Sequence, residues 1–152
     1  MAVGLGPGAS EQELRAAQAA VRAKLLGLLK LPAGAPAGKV RAALNKPDEE
    51  GDLPIHDALC DKATGPELVR AMLDAGGDAM LAVPGYCKCL PLHRAADNSP
   101  FPAVVALLLA RGPAGSVRAE DVRGHTPLVH AEEGNRGSGA AEIRALLRAA
   151  TR

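Results

Sequence analysis

Aromatic residues are almost missing from this chain: Tyr86, Phe101 and no Trp, 1% of 152 residues. That scarcity removes the stacking platforms on which single-stranded nucleic acid is held. No charge excess exists either. Eighteen basic residues stand against 17 acidic ones, for a formal net charge of +1, so nothing draws the chain generally toward nucleic acid or an anionic membrane. Cysteine is sparse and odd in number (Cys60, Cys87 and Cys89), which excludes a disulfide framework. Long apolar runs are lacking too, because Lys24 and Lys30 interrupt the most apolar helical stretch, and no membrane span is expected. The opening MAVGLGPGAS has no basic region before an apolar run and does not read as a secretory leader. These absences lead to the expectation of a soluble, intracellular, cytoplasmic protein with reduced thiols.

What is abundant is small and aliphatic. Apolar residues make up 47% of the chain, so a core must come from Leu, Val and Ala, which suits close helix packing better than a strand sandwich. The length allows one domain with a real core. One heptapeptide then recurs: LPIHDAL at 53–59, LPLHRAA at 90–96 and TPLVHAE at 126–132. Leu53 and Leu90 are 37 positions apart, Leu90 and Thr126 are 36. Each copy is followed by a polar gap and a second apolar segment: PELVRAMLDAGG (66–77), PAVVALLLARGP (102–113) and AAEIRALLRAA (140–150). Leu68, Val69, Met72 and Leu73 fall on one helical face, as do Ile143, Leu146 and Leu147. VVALLLA could be a strand by length alone, but its sister segments favour helix.

Punctuation supports the same division. Pro54, Pro91 and Pro127 suit the first helical turn, where a missing N–H costs nothing. Gly76 and Gly112 stand where a left-handed residue ends a helix, and Pro113 blocks continuation. Ahead of these copies, SEQELRAAQAAVRAKLLGLLKL (10–31) forms a further helix opened by a capping box of Ser10 and Glu13. LPAGAPAG (31–38) reads as a flexible connection. The expected organisation is a tail at 1–9, a capping helix with linker at 10–44, and three units at about 45–80, 81–116 and 117–152.

The runs NKPDEEGDLPIHDA (45–58) and RAEDVRGHTPLVHA (118–131), with LPLHRAAD between them, resemble the ankyrin repeat, whose helical signature is T-P-L-H-x-A. Asp121 and Gly124 keep the register of the preceding turn. The resemblance covers roughly residues 45–152 and implies an all-α fold, an α-solenoid of stacked helix–turn–helix repeats behind an extra N-terminal helix. Several positions depart from the pattern. The signature Thr would cap the first helix and exchange a hydrogen bond with the signature His, yet Leu53 and Leu90 replace the Thr while His56 and His93 remain. The third unit keeps Thr126 but has Val129 for the His. A lost cap costs about 0.5–2 kcal/mol, so Leu53→Thr and Leu90→Thr are expected to raise the melting temperature. Gly85 and Lys88 stand where Asp and Gly stand in the other turns, and EEGNRGSGAA (132–141) lengthens the third unit.

No catalytic motif appears. There is no nucleophile elbow, phosphate-binding loop or zinc-protease helix. Gly4, Gly6 and Gly8 alternate without a preceding strand. His56–Asp57, or His130 with Glu132 and Glu133, could be drawn as acid–base pairs, but neighbouring helix positions point in different directions. An enzyme is not expected, and neither a cofactor nor a resident metal is implied. The rival reading is a metal-binding or redox-responsive module using Cys87, Cys89 and His93, with Cys60 or His56 as a fourth ligand. Against it, zinc ligands are ordinarily spaced by two residues or more, and His93 has a structural role in the signature.

The resemblance implies a monomeric, non-catalytic adaptor that binds a partner protein, with no role for nucleic acid or membrane. In that family the turn tips and the exposed side of the first helices contact partners. Here the tips are Asp48, Glu49 and Asp52, then Tyr86 and Lys88, then Val122, Arg123 and His125; the first helices offer Asp57, Arg94 and His130. The tips pass from acidic to basic, which suits a bipolar partner, and Tyr86 has the side chain most typical of an interface anchor. A degenerate copy or fragment is the remaining possibility; Arg144, Arg148 and Arg152 on the last helix, which give it a polar outer face, argue against truncation.

Overall fold

The computed structural model describes residues 10–152; the tail expected at 1–9, with Gly4, Gly6 and Gly8, lies outside them. The described residues form eight α-helices and no strand, so this part of the chain is all-helical. No described helix is long and apolar enough to cross a membrane.

Helix α1 (Glu11–Leu28) begins as its sequence predicts. The Ser10 hydroxyl accepts a hydrogen bond from the Glu13 amide at 3.2 Å, satisfying one of the orphan donors of the first turn. The connection after it is not a flexible linker. Ala35 is buried and its carbonyl accepts from the Arg22 guanidinium at 3.1 Å. A second helix, α2 (Ala37–Leu44), then buries Val40 and Leu44 against α3 (Pro54–Leu59) and α4 (Pro66–Gly76). Two apolar anchors between Gly38 and Pro47 give too short a pattern for periodicity to reveal.

The remaining helices are α5 (Pro91–Asn98), α6 (Pro102–Arg111), α7 (Pro127–Gly134) and α8 (Ala140–Ala150). Proline is the first residue of five of the eight, where its fixed φ is already helical. The first helices pack in order, α3 on α5 and α5 on α7. The second helices do likewise, α4 on α6 and α6 on α8, and α1 lies against α4. Leu44, Ile55, Leu59, Met72, Leu73, Met80, Leu108, Ile143 and Leu147 are the large fully buried side chains. The core is aliphatic, as the lack of aromatics requires.

The expected glycine stops need correction. Gly76 is still helical, and Gly77 takes the positive φ of 98°. Gly112 has φ −82° and ends α6 by donating an amide hydrogen bond to the Leu108 carbonyl at 2.8 Å.

Three turns precede α3, α5 and α7 and share one hydrogen-bond pattern. Asp48 N–H reaches the Asp52 carbonyl (2.9 Å), Gly85 reaches Cys89 (2.8 Å) and Asp121 reaches His125 (2.9 Å). Within each, the fourth residue has positive φ: Gly51 at 90°, Lys88 at 60° and Gly124 at 81°. The Gly85 departure has a spatial cause. A Cβ there would run into the Asp52 carboxylate, which comes from the first turn.

The two signature histidines are fully buried and use both ring nitrogens. His56 Nδ1 accepts from the Leu53 amide at 2.9 Å, and Nε2 lies 2.9 Å from the Val83 carbonyl. His93 Nδ1 accepts from Leu90 at 3.0 Å, and Nε2 lies 3.0 Å from the carbonyl of Ala119. Acceptance at Nδ1 fixes the proton on Nε2, so each ring ties its own helix start to the following segment. Thr126 supplies the other half of the exchange, its hydroxyl accepting from Val129 at 3.4 Å.

This burial reverses the expectation for the leucine caps. Leu53 is 2% exposed and Leu90 9%, so each is a core side chain as well as a helix cap. Truncating a buried leucine costs about 2–5 kcal/mol, more than the roughly 1 kcal/mol a hydroxyl cap returns. Leu53→Thr and Leu90→Thr should therefore destabilise.

Candidate functional site

The turns are bonded edge to edge, and this sets what they display. Asp52 Oδ1 accepts from the Tyr86 amide at 2.7 Å, joining the first turn to the second. The Val122 amide donates to the Cys87 carbonyl at 2.8 Å, joining the third to the second. With their amides occupied, Tyr86 and Val122 turn their side chains to solvent, 55% and 59% exposed. Around them Lys88 and Arg123 are exposed, as are Asp48 and Glu49 on the first turn and Asp57 on α3. Partial burial, then the negative charge of Asp52 and Asp48, raises the Asp57 carboxyl above its ordinary pKa.

Four residues expected at this surface are drawn inward. Asp52 is 5% exposed: besides the Tyr86 amide it holds the Arg94 guanidinium at 3.0 Å. Arg94 is half-buried by that pair and also donates to the Cys60 sulfur at 3.3 Å. His125 and His130 are half-buried on the inner side of the third turn. These four shape the turns; they do not offer free side chains at the tips.

His130 has an unforeseen setting. Its Nε2 lies 2.7 Å from Asp121 Oδ2, and its Nδ1 is 3.7 Å from Asp97 Oδ2. Asp121 Oδ1 meanwhile accepts from the amides of Arg123 and His125, both at 2.9 Å. Burial by itself would raise the Asp121 pKa, but these amides and the His130 ring outweigh it and hold the carboxyl well below the usual carboxylate range. Cys89 lies beside them, buried. Burial raises its thiol pKa, with Arg94 acting in the opposite sense. The alignment of Asp121 with Asp48 signals the turn, but the His130 and Cys89 contacts come from separate segments and leave no sequence trace.

The ligand set Cys87, Cys89 and His93 is not brought together. Cys87 and Cys60 are exposed while Cys89 is buried, and both nitrogens of His93, like those of His56, are occupied by backbone partners. The drawn acid–base pairs do not form either. His56 is committed elsewhere, and Glu132 pairs with Arg148 at 3.0 Å, not with His130.

A groove of about 1270 Å³ runs between α1, α4, α6 and α8. Ala17, Ala20, Val21, Phe101, Ala106 and Leu146 make it mainly apolar. It gathers no set of polar groups suited to chemistry.

Models of known protein families give no match to the chain, and no curated protein matches it.

Proposed function

We propose that the chain is an ankyrin-like solenoid serving as a non-catalytic adaptor, which holds a partner protein across its turn tips. The recurrence of one turn pattern before α3, α5 and α7 supports the repeat reading, as do the histidine bridges from one segment to the next. Helix pairs that cannot bury their apolar faces alone gain a continuous core by stacking, and such stacking leaves a row of tips free for recognition. The observation that carries the binding reading is the pair Tyr86 and Val122, each more than half exposed on adjacent turns whose backbones are tied together. A large amphipathic ring beside an aliphatic side chain, flanked by Lys88 and Arg123, has the make-up of an interface centre with a charged rim. Asp48, Glu49 and Asp57 give the far end the opposite sign. A partner with an acidic segment beside an apolar anchor, then a basic one, fits this order. The same reading makes the protein a monomer of a reducing, cytoplasmic compartment.

Affinity capture with wild type and a Tyr86→Ala/Arg123→Glu variant tests it. Both positions are exposed, so helical circular dichroism should be unchanged. Saturable capture of one protein by wild type and its loss with the variant is the expected result; equal capture by both would overturn the assignment of the tips.

A further inference from the structure

The cluster beside the third turn has a composition that backbone capping does not require. One ligand atom from each of Cys89, Asp121 and His130 lies within 4.8 Å of the other two. They come from the second turn, the third turn and helix α7, so the fold itself brings a sulfur, an oxygen and a nitrogen donor together. All three are sheltered: Cys89 is 7% exposed, and the side chains of Asp121 and His130 are 2% and 10% exposed.

We propose that Cys89, Asp121 and His130 bind a divalent transition-metal ion, zinc foremost, with the fourth tetrahedral position left to solvent. The donor types suit zinc, which takes thiolate, imidazole and carboxylate ligands. Bond lengths of about 2.0–2.3 Å set ligand-atom separations of about 3.3–3.6 Å in a tetrahedral site. The 2.7 Å contact between Asp121 and His130 must open to admit the ion, and Cys89 already lies within 4.8 Å of both. Charge balances, because one thiolate and one carboxylate neutralise the ion. So do protons. The Cys89 thiol releases one proton to solvent, and the neutral His130 ring moves its proton from Nε2 to Nδ1, freeing the Nε2 lone pair. Asp97 Oδ2, 3.7 Å from Nδ1, would have to approach to accept that proton in a hydrogen bond, the role carboxylates commonly play behind metal-bound histidine. Asp121 is fixed in advance, since the Arg123 and His125 amides hold its Oδ1 and leave Oδ2 for the ion. This site is separate from the exposed tips and stands whether or not they bind a partner.

Cobalt(II) titration of the full reduced chain tests it, because only a cobalt–thiolate bond gives a charge-transfer band in the near ultraviolet. One equivalent should produce that band and zinc should abolish it. Cys89→Ser, a near-isosteric change whose folding is checked by circular dichroism, should lose the band. His130→Gln and Asp121→Asn should weaken zinc at least about tenfold, whereas Cys87→Ser and Cys60→Ser should stay within about twofold. Zinc should raise the melting temperature of wild type but not of Cys89→Ser. Absence of a thiolate band in wild type, its persistence in Cys89→Ser, or its loss in Cys87→Ser would each overturn the assignment.

Discussion

His56 of α3 reaches the carbonyl of Val83, 27 positions further along the chain, at 2.9 Å. His93 repeats the contact to Ala119, 26 positions on. A ring that also accepts from its own helix start is a joint between consecutive segments. Replacing His93 by Ala leaves the buried Leu90 amide and the Ala119 carbonyl unpaired and opens a cavity. Unsatisfied buried groups cost about 1–3 kcal/mol each, so a loss of about 3 kcal/mol is expected in urea denaturation. An exposed control on α3, Asp57→Ala, should change stability by less than about 0.5 kcal/mol.

Acid should weaken the same joints. Burial, the largest influence, lowers the pKa of both His56 and His93 below 6.5; for His93 the adjoining His130 adds to it, against Asp121 and two carbonyls. A histidine held neutral in the folded state takes up a proton more readily once unfolded. Its contribution is therefore complete above the unfolded pKa of 6.5 and is lost as pH falls below it. Asp121, depressed, adds a second loss below about pH 4, where its unfolded carboxyl begins to protonate. The urea midpoint should hold from pH 8 to 7 and fall from 6.5 to 5, with less fall in His56→Gln/His93→Gln.

At the helix starts the outcome depends on burial. Leu53→Thr exchanges a side chain 2% exposed for a smaller capping one. A net loss of about 1–3 kcal/mol is expected from core truncation less the cap gained. Thr126→Ala, which removes only a long capping bond of 3.4 Å, should cost about 1 kcal/mol or less. Thermal melts of the two variants check the order.

The first and second turns meet at Asp52. Asp52→Ala strips Arg94 of its partner and the Tyr86 amide of its acceptor. Breaking a buried pair on one side costs about 3–5 kcal/mol, and a loss near the lower end is expected because Arg94 keeps some access to water. Gly85→Asp would restore the residue found in the other turns, yet it should destabilise, because the Asp52 carboxylate already fills that space. Lys88→Gly should do the reverse by relieving φ +60°, a gain of about 1 kcal/mol.

Much of the fold is legible in the sequence because prolines and apolar periodicity act locally. Pro54, Pro91 and Pro127 start helices where expected, and the second segments lie within a residue or two of their expected bounds. Helix α2 escaped because eight residues with two buried anchors carry too little pattern. At the candidate site, exposure at Tyr86 and Val122 follows from turn position. The inward Asp52 and Arg94 do not, since they pair with each other across units; nor do His125 and His130, which are drawn in by the Asp121 carboxylate of their own unit. Long-range pairing of single polar side chains has no periodic signature.

The most direct measurement is the long-range 1H–15N spectrum of the histidine side chains, recorded from pH 8 to 5. The expected result is that His56 and His93 show the proton on Nε2 and stay neutral well below pH 6.5 while the chain remains folded. Protons on Nδ1, or ordinary titration of both rings near pH 6.5 in the folded chain, would contradict the histidine joints and the ordered stacking that depends on them.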